Sequence, residues 1–196
     1  MPDQVSGIFI KGGIMTIKDI IKLSATMLNR EDVIDYLEKG TATGDALECI
    51  DTLTRCANLT INELAGSYIF MQKEEGISGE IIKYTDLSET ILKVIKVLDA
   101  SGNKIKFKMM PEYVKLSSFG AKIIYNYLPS NYGLEDIIGY TEKDISSRII
   151  AYGVVAEYCL VVHAFSESVM WHQRFIDGIE GKCYPKNSKI KSREFV

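Results

Sequence analysis

A chain of 196 residues that is 46% hydrophobic and 25% charged has ordinary globular usage, which excludes disordered and fibrous classes. Its net charge of -3 excludes a global attraction to nucleic acid or to an anionic membrane, so any basic surface has to be local. The longest apolar run, Val154 to Phe165, contains Glu157 and His163 and falls short of the roughly 20 residues that cross a bilayer, so no membrane partner is expected.

Residues 1–14 have no basic region followed by an apolar stretch and a small-residue cleavage site, and so do not form a signal peptide. Lys11-Gly12-Gly13-Ile14-Met15 can be encoded by AAA GGA GGA ATT ATG, a bacterial ribosome-binding site followed by a start codon. This predicts translation from Met15 and a disordered leader over 1–14, with a flexible arm as the other reading.

Thr16 followed by Asp19 resembles a capping box, and Ile17, Ile20, Ile21, Ser24, Met27 and Leu28 recur at helical spacing, which predicts a first helix over 17–28. Asn29 or Arg30 breaks the pattern, and a short second helix, Asp32 to Leu37, stops at the C-capping Gly40. Thr41 to Gly44 reads as a loop. Asp45 and Glu48 open the longest helix of the first half, with Leu47, Ile50, Thr54, Ala57, Ile61, Leu64, Ala65 and Tyr68 on one face.

From Tyr68 the apolar period changes toward two. Five or six short strands are predicted: Tyr68 to Met71, Glu80 to Tyr84, Ile91 to Leu98, Lys104 to Lys108, Tyr113 to Leu116 and Ala121 to Leu128. Turns are expected at Gly76 to Gly79, Ser101 to Asn103, Pro111 and Ser117 to Gly120. In Lys104 to Lys108 lysines alternate with apolar side chains, giving one solvated lysine face and one buried face.

Pro129 to Tyr140 reads as a loop with one helical turn at Leu134 to Ile138, and Thr141 with Asp144 opens another helix. Its predicted buried face is Ile145, Ile149, Tyr152, Ala156, Cys159, Leu160 and His163; Gly153 in its middle costs about 1 kcal/mol against alanine and predicts a tight helix crossing. Ser166 caps a last helix lined by Val169, Met170, Gln173, Ile176 and Ile179, which makes a helical hairpin turning at Phe165 and ends at Gly178 or Gly181. Beyond it Lys182, Lys186, Lys189, Lys191, Arg193 and Phe195 form a basic tail, read as an arm that docks on an acidic neighbour or lies near nucleic acid.

The organisation expected is a leader 1–14, a helical half 15–67, an inserted antiparallel β block 68–128, a helical hairpin 129–181 and a tail 182–196. The fold class is α+β, a bundle of four or five helices with an inserted small antiparallel sheet.

Catalytic signals are weak. The only histidines, His163 and His172, have no serine, cysteine or carboxylate at a catalytic spacing. Cys49 and Cys56 share a helix face and read as small core residues, and Cys159 with His163 at i, i+4 supplies only two metal ligands. No glycine loop cradles phosphate, and the four cysteines read as reduced thiols. Trp171, beside His172 and near Arg174, reads as packing or an interface anchor. No catalytic residue, cofactor or metal is assigned, and a non-enzymatic role is expected.

With helices first, strands next, and the segment Arg148 to Cys159 followed by Trp171-His172-Gln173-Arg174-Phe175, the chain resembles small prophage proteins of Gram-positive bacteria. In layout it is similar to the head-to-tail adaptor, or connector, proteins of tailed phages, over about residues 15–196. The resemblance implies a ring subunit between portal and tail whose partners are further copies of itself, portal and tail proteins. It also implies a place in the virion and, during assembly, in the host bacterial cytoplasm. A tail or baseplate component, and a nucleic-acid binder touching DNA weakly through its basic tail, are the other readings.

Overall fold

The computed structural model describes residues 14–40 and 44–183, and within them the chain is mixed α+β, with five α-helices and two antiparallel sheets. Residues 1–13 of the leader expected over 1–14, residues 41–43 of the loop expected over 41–44, and tail residues 184–196 lie outside the described residues. Ile14, expected to be disordered, is instead the first residue of strand β1 (Ile14–Thr16), and the Met15 that follows is fully buried.

Helix α1 (Ile17–Met27) starts where the capping spacing places it. The Thr16 hydroxyl accepts from the Asp19 amide at 3.2 Å, while the Asp19 carboxylate accepts from the Thr16 amide at 3.2 Å, satisfying two otherwise orphaned donors. Ile17, Ile20, Ile21, Ser24 and Ala25 form its buried stripe. Helix α2 (Glu31–Lys39) ends at Gly40, which takes the left-handed φ of 75° and donates its amide to the Tyr36 carbonyl at 2.9 Å. Helix α3 (Gly44–Glu63) runs on through a π-helical turn, Leu64–Tyr68. That turn inserts an extra residue, rotates the face, and leaves Tyr68 exposed rather than on the buried stripe.

The sheet block departs most from the expected pattern. Neither Gly76 to Gly79 nor Ser117 to Gly120 is a turn; both lie inside long strands, β2 (Met71–Lys83) and β6 (Tyr113–Leu128). Gly79 pairs directly with Gly120, and the register slips on both sides of Gly79, whose φ is 129°. The glycines therefore bulge and bend the paired strands instead of reversing the chain. A Cβ on Gly120 would come within 2.6 Å of Leu116 Cδ1 and 2.9 Å of Ile77 Cδ1, so a larger residue there would force those side chains to shift.

Strand β3 (Thr90–Leu98) pairs with the other side of β6 and at its end with β4 (Lys104–Ile105); β5 (Phe107–Met109) pairs with the first residues of β6. The order is β2-β6-β3-β4, with β5 beside β6. One face holds a core of Ile82, Val94, Val97, Ile105, Val114, Leu116, Ile123 and Tyr125. By register Lys73 and Glu75 lie opposite Tyr125 and Ile123 on that same face; Lys73 meets Glu89 at 3.2 Å and Glu75 at 3.6 Å, and Ser88 donates to Glu75.

A third correction concerns residues 129–146. The helical turn expected at Leu134 to Ile138 is not there; Ile137–Thr141 is strand β7, paired with β1 through Ile14 to Thr141 and Thr16 to Ile137. Ile138 and Tyr140 point into the core on the period of two, with Gly139 between them where a Cβ would meet Met71 Sδ at 3.1 Å. Thr141 and Asp144 make the bonds of a cap, at 2.9 and 2.8 Å, yet close only one turn. Ser146 then takes extended backbone and itself caps α4 (Ser147–Val161).

Helix α4 packs against α1, α3 and α5 (Phe165–Cys183) and is buried nearly all round. At Gly153 a Cβ would lie 2.5 Å from Thr60 Cγ2 and 3.0 Å from Phe175 Cε2, so the expected tight crossing is real and involves α3 and α5 together. The hairpin turns not at Phe165 but at His163, in the left-handed region at φ 62°. Of the expected face of α5, Ile179 is buried and Ile176 half-buried, but Val169, Met170 and Gln173 are exposed, and Ser168 and Phe175 are buried in their stead. The Ser168 hydroxyl donates to the Ala156 carbonyl at 3.0 Å, which lets a polar residue occupy a buried position.

Candidate interaction surfaces

The side chains with catalytic or ligating potential are dispersed. Cys56 lies in the core of the helical body, where burial pushes its thiol up to about 11, out of reach of thiolate chemistry at neutral pH. Cys159 is buried while His163 stands exposed in the hairpin turn, so the i, i+4 pair diverges. Among the described residues no group of three or more histidine, cysteine or acidic side chains comes together, and no helix is long and apolar enough to cross a membrane.

The hairpin end is different. Leu160, Val161, Val162, Phe165, Val169 and Met170 are all exposed there, Phe165 at 60% and Val169 at 71%. Surface apolar residues scattered singly need no explanation, but six within eleven consecutive positions form a patch of the kind that marks association. The reading of Leu160, Val169 and Met170 as buried is overturned; the signal available in the sequence is that Leu160-Val161-Val162 cover three sides of a helix end and cannot all face inward.

Beside the patch opens a recess of about 580 Å³ lined by Arg30, Asp32, Asp45, Glu48, Cys49, Thr52, Tyr158, Val161 and Val162. Arg30 grips Asp32 with two bonds, 2.9 and 2.7 Å, and reaches the Tyr158 hydroxyl at 3.3 Å. Donating to the Asp32 carboxylate keeps the Arg30 guanidinium firmly charged, and Arg30 in turn holds the Asp32 carboxyl below its ordinary value. Burial, with Cys49 3.6 Å away, pushes the Tyr158 hydroxyl up to about 12. Arg30, which also reaches the Asp45 backbone carbonyl at 3.5 Å, is therefore spoken for, whereas the Asp45 and Glu48 carboxylates in the same lining have no ion-pair partner among the described residues.

The far end of the sheet block has the opposite sign. Lys104, Lys106 and Lys108 are exposed while Ile105 is buried and Phe107 half-buried, as the alternation predicts. What the local pattern does not contain is the partner: Lys108 sits directly opposite Lys115 across β5 and β6. Like charges so placed destabilise a sheet. No acidic side chain is paired with Lys106, Lys108 or Lys115 among the described residues. With Phe107, Leu116 and Ser117 they line a shallow hollow of about 280 Å³, and Met109 and Phe119 lie exposed in the same strands.

A row of cations and rings runs along the hairpin: Arg148 over Tyr152 at 5.7 Å, Tyr152 against Trp171 at 5.6 Å, and Trp171 under Arg174 at 4.6 Å. Trp171 is thus half-buried packing stiffened by cation–π contact. Of the tail cations, Lys182 belongs to the last turn of α5 and donates to the Lys143 carbonyl. Lys186, Lys189, Lys191, Arg193 and Phe195 lie outside the described residues. No family model matches the sequence, and no curated protein matches it either.

Proposed function

We propose that this chain is a non-enzymatic subunit of a phage or prophage virion, a head-to-tail connector that forms a ring between portal and tail. In this reading the helices act as one bundle, the sheet block is an insertion that reaches a neighbour, and the basic tail contacts portal or tail proteins. The virion reading comes from the layout of the sequence. The observation that carries the assembly character is the division of charge. Residues 14–67 and 129–183 hold 9 basic and 17 acidic side chains, whereas residues 68–128 hold 9 and 7. A net of −8 on the body against +2 on the sheet block suits heterologous contacts between copies, which need complementary patches and no reacting group.

The test is electron microscopy and light scattering of the purified full chain, alone and with its genomic neighbours. Rings, or a stable complex with portal protein, are expected; a chain that binds neither portal nor tail protein overturns the connector reading. Binding to tail or baseplate proteins alone moves the chain to the tail. The unpaired lysines favour one second reading, nucleic-acid binding, which predicts an affinity for DNA that falls steeply with salt; the acidic body opposes it.

A further inference from the structure

We infer that copies of this chain associate head to tail, the apolar hairpin end and acidic recess of one copy seating on the lysine hollow of the next. This deepens the assembly reading and rests on it. The two surfaces lie at opposite ends of the molecule. Helix α3 spans about 30 Å for its 20 residues; its start stands beside the hairpin end, where Cys49 meets Tyr158, and its far end runs through the π turn into β2. A contact between unlike ends repeats, closing into a ring if the rotation divides the circle and running on as a filament if it does not.

Each surface lacks what the other offers. The hairpin end exposes apolar side chains beside Asp45 and Glu48, two carboxylates without a cation among the described residues. The hollow offers Phe107 and the neighbouring Met109 and Phe119 beside Lys106, Lys108 and Lys115, and an incoming carboxylate would relieve the directly opposed pair Lys108 and Lys115. Phosphate would satisfy the lysines but not the apolar groups, and the −8 of the body repels a polyanion.

A charge swap tests this on the full chain. One variant carries Asp45→Lys and Glu48→Lys, the other Lys106→Glu and Lys108→Glu; all four side chains are exposed, so folding is checked simply by unchanged circular dichroism. Each variant alone should self-associate at least about tenfold more weakly than the parent in sedimentation velocity, because like charges then meet at every contact. Mixed in equal amounts the two should recover assembly, since the reversed recess of one faces the reversed hollow of the other. Should a double variant fail to fold, Phe165→Ser and Lys108→Ser replace them, each expected to weaken self-association on its own.

A parent chain that stays monomeric overturns the inference, and portal binding then judges the connector reading separately. Variants that assemble like the parent, or a mixture that stays apart when each variant does, show that these surfaces do not meet while leaving an assembly role intact. Loss of DNA affinity in the lysine variant with assembly unchanged overturns it in favour of nucleic acid.

Discussion

The helical body and the sheet block are held together on different terms. The body gathers 24 buried residues around α4, a helix covered on nearly every side. The sheet block has eight, on one face of a bent sheet, and admits Lys73 and Glu75 to that face. With apolar burial at about 25 cal/mol per Å² as the dominant favourable term, the larger core makes the body the more stable unit and the sheet block the one that opens first. The two meet where Met71 and Tyr127 enter the body core, so they are neighbours rather than independent domains.

The largest effect expected is at Ile123, fully buried in the sheet core beside Tyr125. Ile123→Ala removes three carbons and should cost about 2–5 kcal/mol. If the comparison holds, amides of β3 and β6 exchange faster while the urea transition followed by Trp171, the single tryptophan and a residue of the body, barely moves. Coincident movement of both probes breaks it, and makes the chain one cooperative unit.

Gly153 probes the other side. Alanine is the better helix former by about 1 kcal/mol, yet its methyl would press on Thr60, whose hydroxyl is pinned to the Cys56 carbonyl at 3.0 Å, and on Phe175. Gly153→Ala should therefore destabilise by about 1–3 kcal/mol, seen this time in the Trp171 transition, with sheet exchange following only in proportion to global unfolding. A stabilised variant would mean that α3 and α5 can give way at no cost.

These contrasts also explain what was legible in the sequence. Thr16 with Asp19 and Gly40 were readable because a cap and a left-handed stop act within a turn of the residue that causes them, and Gly153 because a glycine inside a helix is costly enough to need a close neighbour, although nothing local says that Thr60 and Phe175 supply it. Gly79 and Gly120 were misread because a glycine that reverses a chain and one that bends it look alike until the partner strand is known, and theirs is each other. Strand β7 was missed for the same reason: five residues with Gly139 in the middle become a strand only because Ile14 to Thr16 lie alongside. On α5 a polar Ser168 with a partner in α4 takes a buried place in the first half of the helix, while Val169 and Met170 stand at the surface. The hairpin patch and the Lys108 to Lys115 pair are products of such non-local choices, so no local pattern announces them.

Acid sharpens the comparison with the smallest effect. In the sheet block, Lys122 holds the Glu74 carboxyl below its ordinary value and amides of the Asn103 turn do the same for Asp99. At Glu75 burial pushes upward, but hydrogen bonds from Ser88 prevail and the carboxyl is also lowered. In the body, Asp32 and Asp144 are lowered by Arg30 and by Thr141, whereas burial and the neighbouring Glu63 raise Glu157. A lowered carboxyl gives stability that is complete above its unfolded value, 3.8 for aspartate and 4.5 for glutamate, and is lost as pH falls through the folded one. A raised carboxyl does the reverse, and its ionisation penalty is relieved on the way down. All three perturbed carboxyls of the sheet block therefore pull one way, while in the body Glu157 offsets part of the loss. As pH drops below 4.5, amide protection in β3 and β6, corrected for intrinsic exchange, should fall before the Trp171 transition moves. Equal acid sensitivity of the two probes would mean that sheet block and body open together as one cooperative unit.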